Sequence, residues 1–213
     1  PCPPMTSSLD QALIHIVDDD AALRRSLVFL LDSVGWRTQA HASAEEFLAA
    51  YQPGAPGCLV LDIRMPGMSG LELQQVLRAQ GRTLPIIFIT GHGDISLAVQ
   101  AMKQEACDFL EKPFKDQVLL DAVTQAVRRS ARQLAAERRH DQAHALLQRL
   151  SPREREVALR VAHGLPNKLI ARELDISEKT VHVHRQHVME KTHTGSAAEL
   201  ARLMLRADPA DLD

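Results

Sequence analysis

Aromatic residues are scarce: the 213-residue sequence holds one Trp, one Tyr and five Phe. That argues against a platform of rings for stacking single-stranded nucleic acid. Cysteine is scarce too, and Cys2, Cys58 and Cys107 form neither a CxxC pair nor an even set. A disulfide framework is therefore not expected, and a reduced, cytoplasmic setting is the simplest reading. No apolar run approaches the roughly 18 residues of a membrane span. The longest strand-like runs are Cys58-Leu59-Val60-Leu61 and Ile86-Ile87-Phe88-Ile89. The opening residues lack the basic and then apolar pattern of a secretory signal, and Met5 fits a natural start preceded by Pro1 to Pro4.

What is present is enough apolar residue to bury a core, 45% of the chain, in a length that accommodates one large or two small domains. The net charge of −2 hides an asymmetry: residues 1–127 carry −6, residues 128–150 carry +4 and residues 151–206 carry +3. An acidic front and a basic back suggest two functions on one chain.

The front half alternates short apolar runs with amphipathic stretches. Strands are expected at 13–17, 37–40, 57–61, 85–89 and 107–110, with helices at 21–34, 44–51, 71–78 and 95–103 and again from Val118. Five βα repeats, the one at 37–40 with a weaker strand, predict a parallel, doubly wound sheet with helices on both faces, and the full apolar runs fit strands buried on both faces. Residues 121–150 lack Gly and Pro and are rich in Ala, Arg, Gln and Leu, so they read as one long polar helix, with 128–148 as a helical linker. Ser151-Pro152-Arg153-Glu154 is a helix start: Ser as N-cap, Pro first, Glu three residues after the Ser. Four helices and no strand are expected beyond it, near 152–163, 167–174, 178–191 and 196–206.

Sites in a doubly wound sheet form at the carboxyl ends of the strands. There the sequence places Asp18-Asp19-Asp20, Asp62, Thr90 and Lys112-Pro113. Any one of these could be a helix cap, a turn residue or a surface lysine; all of them at successive strand ends point to a site. Crowded carboxylates need a cation, and hard oxygen ligands with room for water suit Mg²⁺. Asp19 and Asp62 read as direct ligands and Asp18 as acting through water. A carboxylate there can attack phosphorus to give an acyl phosphate. Mg²⁺ and Lys112 would neutralise the phosphoryl oxygens, and the Thr90 hydroxyl would hydrogen-bond one of them.

These segments resemble the receiver domain of two-component response regulators: Ile14–Asp20, Leu61–Gly70 with Asp62-Ile63-Arg64-Met65-Pro66-Gly67, Ile89–Asp94, and Phe109–Phe114 with Lys112-Pro113. The resemblance covers roughly residues 11–127. It implies a flavodoxin-like fold in which Asp62 is phosphorylated by a sensor histidine kinase. Mg²⁺ would be held by Asp19, Asp62 and the Arg64 backbone carbonyl, with Asp18 beside them. It also implies that Thr90 and Phe109 form a switch pair, that Lys112-Pro113 is a cis peptide, and that Arg64 and His92 set how long the acyl phosphate lasts. Filling the space that Thr90 vacates with the Phe109 ring would remodel an outer face where a second subunit could dock.

In the back half, Ile170–Val181 has the pattern helix, short turn, helix, with Ser177 capping the second. Val181 and Val188 fall on one face of that helix, and Lys179, His182, Arg185, Gln186 and Lys191 lie largely on the remainder. Such a helix fits the DNA major groove. On charge alone an ordinary solvated helix would explain it. Leu150–Val157, Gly164, Asn167-Lys168, Ile170-Ala171 and Thr180–Arg185 go further: they resemble the LuxR-type helix-turn-helix domain over about 149–206.

Together the two halves resemble the FixJ/NarL class, nearer the FixJ side. The resemblance implies a transcription factor that binds promoter half-sites in double-stranded DNA as a phosphorylation-dependent homodimer and works with RNA polymerase. His182, Val183 and Gln186 would face base edges; Lys168, Lys179, Thr180 and Arg185 would contact phosphates. Position 182 is often Lys in this family, and His there makes base preference and pH dependence less fixed. His182, His184 and His187 lack a completing carboxylate or Cys, so a metal site is not expected. A regulator that binds DNA without phosphorylation is the alternative. An aspartate-dependent phosphatase is disfavoured, because Arg64 stands where such enzymes place a second Asp.

Overall fold

The computed structural model describes residues 11–91 and 106–208. The helix expected at 95–103, and His92, lie outside the described residues.

The front half forms five parallel strands: β1 (Leu13–Val17), β2 (Arg37–His41), β3 (Gly57–Asp62), β4 (Ile86–Thr90) and β5 (Asp108–Glu111), in the order β2-β1-β3-β4-β5. Between them run α1 (Ala21–Ser33), α2 (Ala44–Ala50) and α3 (Gly70–Ala79), and α4 (Asp116–Leu147) follows β5. The period of two along each strand sends alternate side chains to opposite faces. Ile14, Ile16, Cys58, Val60, Ile87 and Ile89 meet Leu27 and Leu31 of α1 and Leu119, Val123 and Val127 of α4. Val17, Leu59, Leu61, Ile86 and Phe88 meet Phe47 of α2 and Leu73 and Leu77 of α3. Both faces of β1, β3 and β4 are buried, as their unbroken apolar runs predicted, whereas the edge strand β2 is largely exposed.

The helices α1, α2 and α3 each start on a side chain that satisfies free N–H groups of the first turn. Asp20 accepts from the Ala22 and Leu23 amides, Ser43 caps α2, and Ser69 with Glu72 forms a capping box on α3. Gly57 is required by close approach: a Cβ there would lie 2.1 Å from the Leu13 carbonyl oxygen.

The described chain divides into two compact units, parting between Leu134 and Ala135. The expected helix from Val118 and the long helix at 121–150 are one element, α4, which starts earlier and stops at Leu147. It stops because Ser151 must be extended before Pro152, so Arg149 and Leu150 close the last turn with short i→i+3 bonds. The residues expected to be a linker are anchored within each unit. Ser130 accepts from the Gly57 amide in the first, and Ala143 and Leu147 are buried in the core of the second. That second unit continues with α5 (Pro152–Ala162), α6 (Asn167–Leu174), α7 (Glu178–Thr192) and α8 (Ala197–Ala207). Among the described residues no helix is long and apolar enough to cross a membrane.

A buried imidazole pair lies under α2. His15 Nδ1 and His41 Nε2 are 3.2 Å apart, with Phe47 and Tyr51 packed edge-on against His15. Both rings are almost fully buried. Burial and the neighbouring His41 push His15 down to about 4, and burial lowers His41 against a weaker pull from Glu46. The folded state therefore binds fewer protons than the unfolded chain. Stability contributed by the neutral pair is present above the ordinary histidine value of 6.5 and is lost as the pH falls from there toward about 4. Urea unfolding should show a loss of about 3 kcal/mol over that window, at about 1.4 kcal/mol per unit. In His15→Leu the loss should shrink markedly; an unchanged pH dependence would count against the pair.

Candidate functional site

The carboxyl ends of β1, β3 and β4 come together because the three strands are adjacent and in register, with Val17 beside Leu61 and Asp62 beside Ile89. β5 delivers Lys112, whose amide is held by the Thr90 carbonyl. Gly70 lets α3 start directly against the Asp62 backbone: a Cβ there would lie 2.3 Å from the Asp62 carbonyl oxygen.

Lys112 Nζ donates to Asp62 Oδ1 at 2.8 Å and to Asp18 Oδ2 at 3.0 Å. The second Asp62 oxygen accepts from the Arg64 amide, and the second Asp18 oxygen from the Asp20 amide. Asp18 and Asp62 are buried, whereas the Lys112 side chain is 29% exposed. Two buried carboxylates thus share one partly solvated ammonium. Burial pushes the Asp62 carboxyl above the usual carboxylate range and Asp18 adds to the rise, partly offset by Lys112 and the Arg64 amide. Burial pulls the Lys112 ammonium down, but the bonds to Asp62 and Asp18 outweigh it and hold it above the usual lysine value.

The three consecutive aspartates have three different situations. Asp18 is paired with Lys112, Asp19 is exposed, and Asp20 is spent on the α1 cap. Thr90 is buried at the end of β4, and Phe109 is half-buried against the α2–α3 side of the core. The Lys112–Pro113 peptide is cis.

Asp18, Asp19 and Asp62 with Lys112 carry a local charge of −2 made of hard oxygen donors, which fits a divalent cation. Among the described residues no three His, Cys, Asp or Glu side chains close around a metal position. A cation here would complete its shell with backbone oxygen and water, as Mg²⁺ commonly does.

In the second unit Val181 and Val188 of α7 are fully buried against Ile170, Leu174, Val157 and Leu200. Lys179, His182, Val183 and Gln186 are exposed on α7, and Lys168 is exposed on α6. Thr180 and Arg185 are half-buried and already engaged: Thr180 with Ser177, and Arg185 donating to Asn167 Oδ1 at 2.9 Å. Position in the sequence did not disclose that Arg185 ties α7 to the start of α6, 18 residues away. A second tie was also missed. Glu154, buried within the α5 capping box, accepts from Lys191 at 2.6 Å and faces His187 at 3.6 Å. Its burial would raise its pKa, but Lys191 and Ser151 outweigh that and hold it low.

Two family models match the chain. One is the response regulator receiver domain over residues 14–124; the other is the bacterial regulatory proteins of the luxR family over 148–204. The transcriptional regulatory protein FixJ of Azorhizobium caulinodans is 47% identical over 200 residues, 94% of this chain and 95% of that protein. Nodulation protein W of Bradyrhizobium diazoefficiens is 47% identical over 198 residues, 93% of this chain and 87% of that protein. Among solved structures, the response regulator StyR matches with a TM-score of 0.84 at 45% identity, covering 91% of this chain and 98% of that one.

Removing the shared ammonium leaves two buried carboxylates facing each other. Lys112→Met should therefore lower stability at pH 7 by about 2 kcal/mol, and adding Asp62→Asn should restore most of it. Urea unfolding of the four members of the cycle measures this, and additive effects would show that the bridge carries no coupling.

Proposed function

The chain belongs to the response regulators that join a receiver domain to a luxR-family DNA-binding domain, and from that premise we propose that its control point is phosphorylation of Asp62 by a sensor histidine kinase. The observation that carries this reading is the Lys112 ammonium held between Asp62 and Asp18 at the mouth of the sheet, next to the strand end where Thr90 is buried. The receiver is taken as residues 11–127, the connecting helix as 128–148 and the DNA-binding domain as 149–206.

An Asp62 carboxylate oxygen attacks the phosphorus of a phosphohistidine. The O–P bond of an acyl phosphate forms as the N–P bond breaks, and the imidazole leaves. Asp19, Asp62 and the Arg64 carbonyl, with Asp18, would hold Mg²⁺, which would supply charge neutralisation for the phosphoryl oxygens. Lys112 is already aimed at Asp62 and supplies the same service without rearranging. The transferred group adds about two negative charges, which draws Lys112 and the Thr90 hydroxyl toward it. Phe109 is half-buried and apolar, so it can turn into the space behind Thr90 without stranding a polar group. That change favours a homodimer, which presents two α7 helices to promoter half-sites about one DNA turn apart. His182, Val183 and Gln186 read base edges, while Lys168, Lys179, Thr180 and Arg185 meet phosphates; bound there, the dimer works with RNA polymerase. A DNA partner places the chain in the cytoplasm.

The donor's docking surface follows from the same geometry. Phe29 on α1 is 78% exposed. It lines a groove with Leu23, Leu30, Pro113 and Phe114 that runs to Lys112. An exposed aromatic beside the site suits the anchor of a partner that must bring a phosphohistidine to Asp62.

Incubation with acetyl phosphate and Mg²⁺ should add the mass of one phosphoryl group and convert the chain to a dimer in sedimentation velocity. Asp62→Asn should show neither. A wild type that binds operator DNA but takes no label would favour the phosphorylation-independent regulator. Phe29→Ser should slow transfer from a phosphorylated kinase domain by about tenfold or more, the cost of one anchor residue. Labelling of that variant by acetyl phosphate should be unchanged; equal slowing by both donors would refute the docking role.

A further inference from the structure

At the other end of β4 from Thr90, a cavity of about 200 Å³ opens between the end of α3, the turn that follows it and α4. Arg78 of α3, Arg82 of the turn and Arg129 of α4 line it, with Thr83 and Gln133. None of the described residues lining it is Asp or Glu. None of the ion pairs among the described residues involves the three arginines. Three arginine side chains thus border one small volume, Arg82 half-buried and Arg78 and Arg129 exposed at its rim, and a counter-charge placed among them would offset their mutual repulsion.

Arg82 is the sharpest indication. Its guanidinium lies over the Tyr51 ring, 5.2 Å from the centroid. Its Nη1 is buried and makes no hydrogen bond. Buried N–H donors nearly always find an acceptor, so one without a partner calls for an explanation. Arg129 is positioned separately, beside the Cys107 thiol.

We propose that this cavity is a second ligand site that binds a small phosphate-type polyanion through Arg78, Arg82 and Arg129. The arginines approach from three different elements. A phosphate group presents oxygens in several directions and can answer all three, whereas a carboxylate presents two in one plane. The volume corresponds to about six or seven waters at about 30 Å³ each, enough for a diphosphate group. The site lies at the amino-terminal end of the sheet, so it does not share residues with Asp62 or Lys112 and does not depend on their phosphorylation.

Calorimetric titration of the full chain with inorganic pyrophosphate, without Mg²⁺ and at constant ionic strength, tests this. One site per chain is expected, weakened by about tenfold or more in Arg82→Gln and in Arg129→Gln. Thermal unfolding checks that each variant is folded, and Arg82→Lys should retain part of the affinity. Asp62→Asn and Arg185→Gln should bind as wild type does. A parallel titration with ADP separates two sources of the same chemistry: tighter binding than pyrophosphate points to a nucleoside diphosphate, equal binding to the diphosphate group alone. No binding by wild type at millimolar pyrophosphate overturns the proposal. So does affinity that survives both arginine variants, or affinity lost in Asp62→Asn or Arg185→Gln.

Discussion

Everything at the carboxyl edge of the sheet depends on one ammonium between two buried carboxylates. Lys112 reaches Asp18 and Asp62 from a strand end 50 residues beyond the second of them. Without it, the edge would hold two charges in a poorly solvated space. With it, the edge still carries excess negative charge, because Asp19 lies beside it and forms no ion pair among the described residues. The arrangement is stable enough to fold and unbalanced enough to take up more positive charge. A site tuned in that way favours a ligand that changes its charge, which is what a divalent cation followed by a phosphoryl group would do.

The backbone makes this possible through close approach rather than through side-chain reach. Gly57 lets β3 lie against β1 at its start, and Gly70 lets α3 begin on the Asp62 carbonyl at its end. Between those two contacts the strand is entirely buried, with successive side chains in opposite cores. Asp62 is the point where that dry strand first meets the rim. Its raised pKa follows from the depth of its burial, and the depth follows from the register of β3 with β1 and β4.

Much of this was legible in the sequence because the fold puts chemistry at predictable places. Apolar runs marked the strands, and the residues just after them, Asp18, Asp62, Thr90 and Lys112, had to share an edge once the sheet was parallel and doubly wound. What the sequence did not disclose were relations across distance. Nothing in Asp18-Asp19-Asp20 said which aspartate would take Lys112 and which would cap α1. The His15–His41 pair needed the β1–β2 register, which places His41 beside Val17 and brings its ring back over His15. Arg185 read as a polar-face residue and phosphate contact, and its bond to Asn167 stayed hidden because that acceptor lies on another helix. The capping box at Ser151 was visible, yet that Glu154 also anchors Lys191 was not, since that contact spans 37 residues.

The long helix shows why composition alone misjudges a connector. A stretch rich in Ala, Arg and Gln without Gly or Pro is helical by propensity, and on that composition it was read as one long polar helix with 128–148 as a linker. Its apolar spacing is irregular for a physical reason: the helix contributes to two cores at different points along its length. Val123, Ala126, Val127 and Ser130 are buried in the first unit, and Ala143 and Leu147 in the second. Between them residues 131–142 contain no buried side chain. That polar interval is held helical by its own hydrogen bonds, including Arg132 and Arg139 side chains donating to carbonyls one turn back. Propensity therefore sets the conformation of the interval, and burial at its two ends sets where each unit begins. A single hydrophobic period could not satisfy both ends, so none runs through the helix.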